Sequence, residues 1–219
     1  MRTDRFRRVA GAGVVVSVGL VSGCATVSAT LERPAASSSA QSAQRGPYVR
    51  AAYGPRWADV DHNGCKTRDD VLYREMLTNR AHRVVIKRGC QHDVVSGSWR
   101  DPYTGNLLTA DLARDPEAVQ IDHVVSLKES WVSGAWRWSP AKRLAFANDP
   151  ANLHAVDGRL NQSKGEDDAS TWKPAPAYWC RNAREIFAIK TRYQLSIDPA
   201  EQRALDRMLA TCPDGKTTP

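Results

Sequence analysis

Hydrophobic and polar positions divide the chain into three stretches of different character. Residues 9–21 are apolar and uncharged, and four arginines (Arg2, Arg5, Arg7, Arg8) precede them. Ala25 to Gly46 is rich in Ala, Ser and Gln and has no period, the composition of a disordered tether. From Tyr48 onward, short periodic runs alternate with turn residues. Thr67 to Leu77 has helical spacing, with Thr67 placed as an N-cap. Val84–Ile86 and Val94–Trp99 are β-type runs joined through Cys90, and Asp101-Pro102-Tyr103-Thr104-Gly105 is turn chemistry. Ala118–Val125 is a further β-type run. Lys128–Trp136 and Pro140–Asn148 read as short helices, Asn152–Val156 as a strand, and Gly158–Lys164 as the opening of another helix. Pro176–Tyr193 and Pro199–Leu209 are amphipathic helices, each starting near a proline. No internal repeat is present. The pattern predicts an α+β domain.

Length and composition bound this reading. A chain of 219 residues with 42% hydrophobic content and seven tryptophans supports one core plus export and tether segments. The net charge is +7, but part of it lies in the first eight residues, and the remaining chain is only mildly basic. That excess is compatible with phosphate binding without demonstrating it. The N-terminus reads as a signal peptide, because its apolar stretch is too short and too Gly-interrupted for a stable spanning helix. It closes on Val21-Ser22-Gly23-Cys24, which resembles a bacterial lipobox with Cys24 as the lipidated first mature residue. An ordinary signal peptide with an incidental cysteine and a twin-arginine signal at Arg7-Arg8 are the weaker readings. The expected organisation is a lipoprotein signal peptide over 1–23, a tether over 24–47, a folded domain over 48–213 and a tail over 214–219.

With Cys24 assigned to lipid, Cys65, Cys90, Cys180 and Cys212 remain. Four cysteines in an exported chain imply two disulfides. Three pairings exist, and 65–90 with 180–212 is favoured because each closes a local unit. Loops of that size stabilise by roughly 3 kcal/mol each in the chain-entropy model. A zinc site is the rival, but no C-x-x-C spacing is present.

The chemistry centres on Asp122-His123 at the end of a β-type run. A neutral histidine fixed by a strand can take a proton from water, and the neighbouring carboxylate can hold a hard cation. Alone the dipeptide is weak. Asn152-Leu153 follows about thirty residues on, and then Asn161-Gln162-Ser163-Lys164-Gly165. Asp-His, Asn-Leu and Asn-x-x-Lys-Gly over a strand–strand–helix pattern form a much sharper signal.

In these motifs the chain resembles the HNH (His-Asn-His, ββα-metal) nucleases, most of all the secreted bacterial HNH endonucleases. The likeness extends from about Trp57 to Cys212 and includes Asn63-Gly64-Cys65, Thr67-Arg68, Asp101 to Gly105, Phe146 to Pro150 and Asn161 to Trp172. The resemblance implies a small ββα-metal core decorated with helices and a short hairpin. His123 matches the general base. Asp122 and Asn161 match ligands of one divalent metal. Asn152 matches the residue that orients the catalytic loop, and Lys164 matches a basic group beside the phosphate. Asparagine at 161, where some members carry histidine, favours Mg²⁺ or Mn²⁺ over Zn²⁺. The implied activity is phosphodiester hydrolysis of DNA, with RNA as a further substrate, by a monomer outside the cytoplasm and tied to the membrane through Cys24.

Other residues carry plainer readings beside the functional ones. Arg143 and Lys173 are candidates for the nucleic-acid backbone or a solvated cationic face. Trp131, Trp136, Trp138 and Trp172 are expected in the core rather than stacked on bases. Asp59, Asp61, Asn63 and Asp70 have the spacing of a Ca²⁺ loop, but Cys65, Lys66 and Arg68 intrude and a structural turn is expected. His154 is expected as a packed or exposed strand residue rather than a third ligand, and His62, His82 and His92 at the surface. The competing functions are a catalytically silent nucleic-acid- or envelope-binding lipoprotein of the same fold, and a phosphodiesterase for a small cyclic nucleotide.

Overall fold

The computed structural model describes residues 45–76, 83–84 and 88–213. The expectations for the signal peptide, Cys24, most of the tether, His82, Val85, Ile86 and the tail lie outside them. In chain order the elements are α1 (Thr67–Met76), β1 (Arg83–Val84), β2 (Val94–Arg100), β3 (Leu107–Asp111), β4 (Val119–His123), α2 (Leu127–Val132), α3 (Pro140–Ala147), β5 (Leu153–Asp157), α4 (Gly158–Lys164), α5 (Trp179–Tyr193) and α6 (Pro199–Leu209). Short 3-10 turns lie at Arg50–Tyr53, Ala135–Arg137, Pro150–Asn152 and Pro176–Tyr178. The α+β class stands, with helices around two small antiparallel sheets.

One sheet has the order β1-β2-β3, and the other pairs β4 with β5. β4 meets β5 with Ile121 opposite Ala155, Asp122 opposite His154 and His123 opposite Leu153. The alternation along β4 sorts its side chains between two faces. Val119 and Ile121 join a core with Leu72, Met76, Val94, Trp99, Leu153 and Ala155. Gln120 and Asp122 take the other face, where they meet Asn161 and Lys164 of α4. The helical part has its own core, in which Phe146, Phe187, Ile189, Leu205 and Met208 are buried and Trp131 and Trp138 pack at the edge. Trp172 packs beside Tyr103, Val156 and Tyr178.

Local chemistry sets most boundaries. Ser126 and Ser139 cap α2 and α3 through their hydroxyls, and Asp157 and Asp198 cap α4 and α6 through their carboxylates. Proline occupies the first turn of α3 and of α6. Thr67 departs from the expected cap. It lies inside the first turn, and its hydroxyl donates to the Ala58 carbonyl at 2.7 Å. The predicted Lys128–Trp136 helix breaks at Ser133-Gly134, because Gly134 adopts φ +134. The hydrophobic pattern does not predict β3. Its residues, Leu-Leu-Thr-Ala-Asp, show no clean alternation and four of the five are not buried.

Both disulfides have the favoured pairing, Cys65–Cys90 and Cys180–Cys212. The first pins the loop before α1. Gly64 there adopts φ +87, and a Cβ would come within 1.9 Å of the Gly89 carbonyl oxygen. The Asp59–Asn63 segment is a turn closed on itself, with the Asn63 and Gly64 amides donating to Asp59 and Asp61. His62 is exposed as expected. His92 is not a free surface group, since its Nδ1 bonds Asp70 at 2.6 Å and its ring stacks on Tyr73.

Candidate active site

β4 ends on Asp122-His123, and the chain turns immediately into α2. Asn152, wholly buried between the Pro150–Asn152 turn and β5, holds that turn in place. Its side-chain oxygen accepts from Val125 N at 2.8 Å, and its amide donates to Val125 O at 3.1 Å. Its backbone carbonyl accepts from Val124 N at 2.9 Å. Three bonds therefore fix the two residues after His123.

His123 is half-buried, with its ring parallel to that of Trp57 at 5.8 Å between centroids and 12° between planes. Its Nε2 lies 2.9 Å from the carbonyl oxygen of Ala147. A carbonyl only accepts, so this contact selects the tautomer with the proton on Nε2. Nδ1 is left as a lone-pair acceptor with no partner among the described residues. Withdrawal from solvent pushes the His123 pKa down to about 4, against the opposing pull of the Ala147 bond and Asp122. The imidazole is therefore neutral at ordinary pH and able to accept a proton.

Asp122 is buried, and only one of its oxygens is committed. Oδ2 accepts from Lys164 Nζ at 2.6 Å and from the Tyr103 hydroxyl. Lys164 also donates to His123 O at 2.6 Å. Expected beside a phosphate, Lys164 is instead a buried cation that ties α4 to the end of β4. Tyr103 is delivered by the Asp101–Gly105 turn. Asp101, fully buried, accepts from Thr104 N at 2.9 Å and from Asp157 N at 3.2 Å, anchoring that turn to the start of α4. Burial raises the Tyr103 pKa well above its ordinary value, and Asp122 raises it further, so the phenol remains a donor.

Asn161, on α4, donates through Nδ2 to Gln120 Oε1 at 2.8 Å. Asp122 Oδ1 and Asn161 Oδ1 have no partner among the described residues. Both residues line one cleft of about 320 Å³ together with His123, Arg50, Arg56 and Trp57. Two hard oxygens that leave room for water and phosphate oxygens suit an Mg²⁺- or Mn²⁺-type ion. The cleft adjoins a larger groove of about 680 Å³, which shares Arg56, Trp57, Gln120, Ile121 and Asn161 with it and adds Arg68.

The structure thus brings His123, Asp122 and Asn161 together, with Asn152 and Lys164 behind them. Arg143 and Lys173 are not among the residues lining the cleft. Arg143 donates to the carbonyls of Ala52 and Trp138, which fastens α3 to the N-terminal turn. Arg50 and Arg56 are the cations that reach the cleft. Tyr103, Gln120, Trp57 and these two arginines escaped the sequence reading. A signal existed only for Tyr103, inside the Asp101–Gly105 block. His154 is buried and no ligand partner of Asp122, since its Nδ1 meets Glu75 at 3.2 Å and its Nε2 meets Glu185 at 3.3 Å.

Comparison with known proteins adds two findings. Residues 66–206 match the family described as "GmrSD restriction endonucleases, C-terminal domain", and that match contains every residue of the site except Arg50, Arg56 and Trp57. The chain is also 40% identical over 161 residues, 72% of each chain, to a protein of Arthroderma benhamiae described as an "Uncharacterized secreted protein". This relative is fungal, so the likeness is not confined to bacteria. No solved structure matches.

Proposed function

The chain belongs to the family of GmrSD restriction endonuclease C-terminal domains, and from this we propose that it is a metal-dependent nuclease hydrolysing phosphodiester bonds of DNA or RNA outside the cytoplasm. The observation that carries the reading is the His123 contact with Ala147 O, which leaves Nδ1 bare beside two uncommitted hard oxygens.

His123 takes a proton from water at Nδ1, so that the oxygen attacks phosphorus as the P–O3′ bond breaks, and the leaving 3′ oxygen takes a proton from solvent. The Nε2–H bond to Ala147 keeps the ring from turning, and Asn152 keeps the strand end from shifting under it. Asp122 and Asn161 would hold one divalent cation with the side-chain oxygens that no protein group occupies among the described residues. When bound, that ion supplies positive charge for the phosphoryl and leaving oxygens. Lys164 acts through Asp122, fixing its carboxylate. Arg50 and Arg56 draw the phosphate backbone to the cleft, a role proposed from sequence for Arg143 and Lys173.

The adjoining groove supports a strand-shaped substrate over a small cyclic nucleotide, since a mononucleotide would not need the space beyond the 320 Å³ cleft. The secreted relative supports export. Lipidation at Cys24 belongs to the same proposal and predicts incorporation of labelled fatty acid that is lost in Cys24→Ala.

The test is cleavage of supercoiled plasmid by the oxidised protein with Mg²⁺, with Mn²⁺ and with EDTA, beside His123→Ala. Nicking that needs metal and His123 is the expected result. A folded wild type inert with every metal would favour the silent binding protein.

A further inference from the structure

A side-chain amide has one end that donates and one that accepts, and nothing in its shape decides which end faces where. At Asn161 a carboxylate decides it from a distance. The Glu117 carboxylate can only accept. Gln120 Nε2 donates to Glu117 Oε2 at 2.7 Å. This turns Gln120 Oε1 the other way, where it accepts from Asn161 Nδ2 at 2.8 Å. Asn161 Oδ1 is then the end left over, the oxygen that a cation requires. A flipped Asn161 would offer an NH₂ group, which repels a cation.

The two ends of this chain of bonds are held at a fixed distance by backbone. The Glu117 amide is set by Asp115 Oδ1 at 3.2 Å, and Gly158 N donates to Ala118 O at 3.1 Å. A Cβ on residue 158 would lie 2.0 Å from the Glu117 carbonyl oxygen. Only glycine lets α4 begin there, so the helix that carries Asn161 is seated directly on the residue that orients it.

We propose that Glu117 is a positioning residue of the cation site, acting through Gln120 to fix the polarity of the Asn161 amide. The inference rests on the reading of Asn161 as a cation ligand. It assigns a function to an exposed glutamate that touches neither the cation nor the scissile phosphate.

The experiment is titration of the oxidised full chain with Mn²⁺ by calorimetry, without nucleic acid. About 0.5 M salt screens the simple loss of a charge. Glu117→Gln keeps the shape and frees the polarity, because the new amide can donate as well as accept. Its Mn²⁺ affinity should fall about tenfold or more, the usual effect of removing an outer-shell partner. The double variant Glu117→Gln/Gln120→Glu should recover towards wild type, because the introduced carboxylate again forces Asn161 to donate. A merely structural contact would not predict that rescue. A wild type that neither binds Mn²⁺ nor cleaves overturns the cation-ligand reading itself. A wild type that binds and cleaves while Glu117→Gln binds equally well, or the exchange fails to recover affinity, overturns the orienting role alone.

Discussion

Replacing Lys190 by methionine removes the positive member of a buried triad that joins three helices. Lys190 on α5 is fully buried, and its ammonium bonds Glu129 of α2 at 2.6 Å, Glu201 of α6, Ser133 Oγ at 3.3 Å and Ser196 O at 3.2 Å. Burial works against the charge, but the two carboxylates more than offset it and hold the lysine pKa above its ordinary value. Methionine nearly conserves the volume, so the loss is electrostatic rather than a cavity. Stripping one partner from a buried ion cluster costs roughly 3–5 kcal/mol. That is a large part of the roughly 5–15 kcal/mol that typically holds a domain together.

The pH dependence gives the prediction its edge. Burial already raises Glu201 to about 8 in the wild type, against the pull of Lys190. A carboxyl with a raised folded pKa favours the fold below its unfolded value of about 4.5 and loses that contribution as pH rises through the folded value. Without Lys190 the Glu201 carboxyl moves further up, but both proteins keep its proton up to about pH 8, so the deficit of the variant should stay level below about pH 8 and grow above it. Urea denaturation followed by tryptophan fluorescence, disulfides intact, measures it. A loss of about 4 kcal/mol shifts the midpoint by roughly 1.3–4 M for ordinary urea m-values. Adding Glu201→Gln to Lys190→Met should return much of the loss. A deficit below about 1 kcal/mol, or one that does not grow above about pH 8, would refute the assignment of an uncompensated buried charge.

Three further outcomes are expected. His123→Ala should lower plasmid cleavage by about 10²–10⁴-fold, the usual contribution of a general base, while leaving the urea midpoint in place. Asn152→Ala strands the buried N–H and C=O of Val125 at about 1–3 kcal/mol each, so both melting temperature and cleavage should fall; an unchanged melting temperature would contradict the pinning role. His154 is the third case. Burial would lower its pKa, but Glu185 and Glu75 override this and raise it to about 9. Its contribution, roughly 3 kcal/mol for a shift of this size, is present below its unfolded pKa near 6.5 and lost as pH rises through about 9. Glu75 and Glu185 are lowered, so theirs is present above the unfolded carboxylate value and lost in acid. The stability gap between wild type and His154→Gln should therefore be widest near about pH 5–6 and close above about pH 9 in thermal melts.

The sequence by itself determined whatever depends on a few neighbouring residues. Hydrophobic spacing and proline placed most of the elements, because these act within a turn or two of the chain. The favoured disulfide pairing held because each bridge spans a short loop, 25 and 32 residues, that folds as a local unit. The placing of Asp122, His123, Asn152 and Asn161 on a strand end, a turn and a helix was legible because each of these elements is set by residues within a few positions. Only the tertiary structure decided what those residues face. Lys164 meets Asp122 across 42 positions and Arg143 meets Ala52 across 91, and no periodicity encodes contacts of that separation. Both cations read from sequence as phosphate contacts, because a long basic side chain looks the same whether it ends in water or against a carbonyl. β3 escaped for a related reason: its largely exposed residues form a strand because β2 presents an edge to pair with. The chain from Glu117 through Gln120 to Asn161 depends on α4 being seated on the residue 117 backbone, and that seating exists only once the β4–β5 sheet has formed.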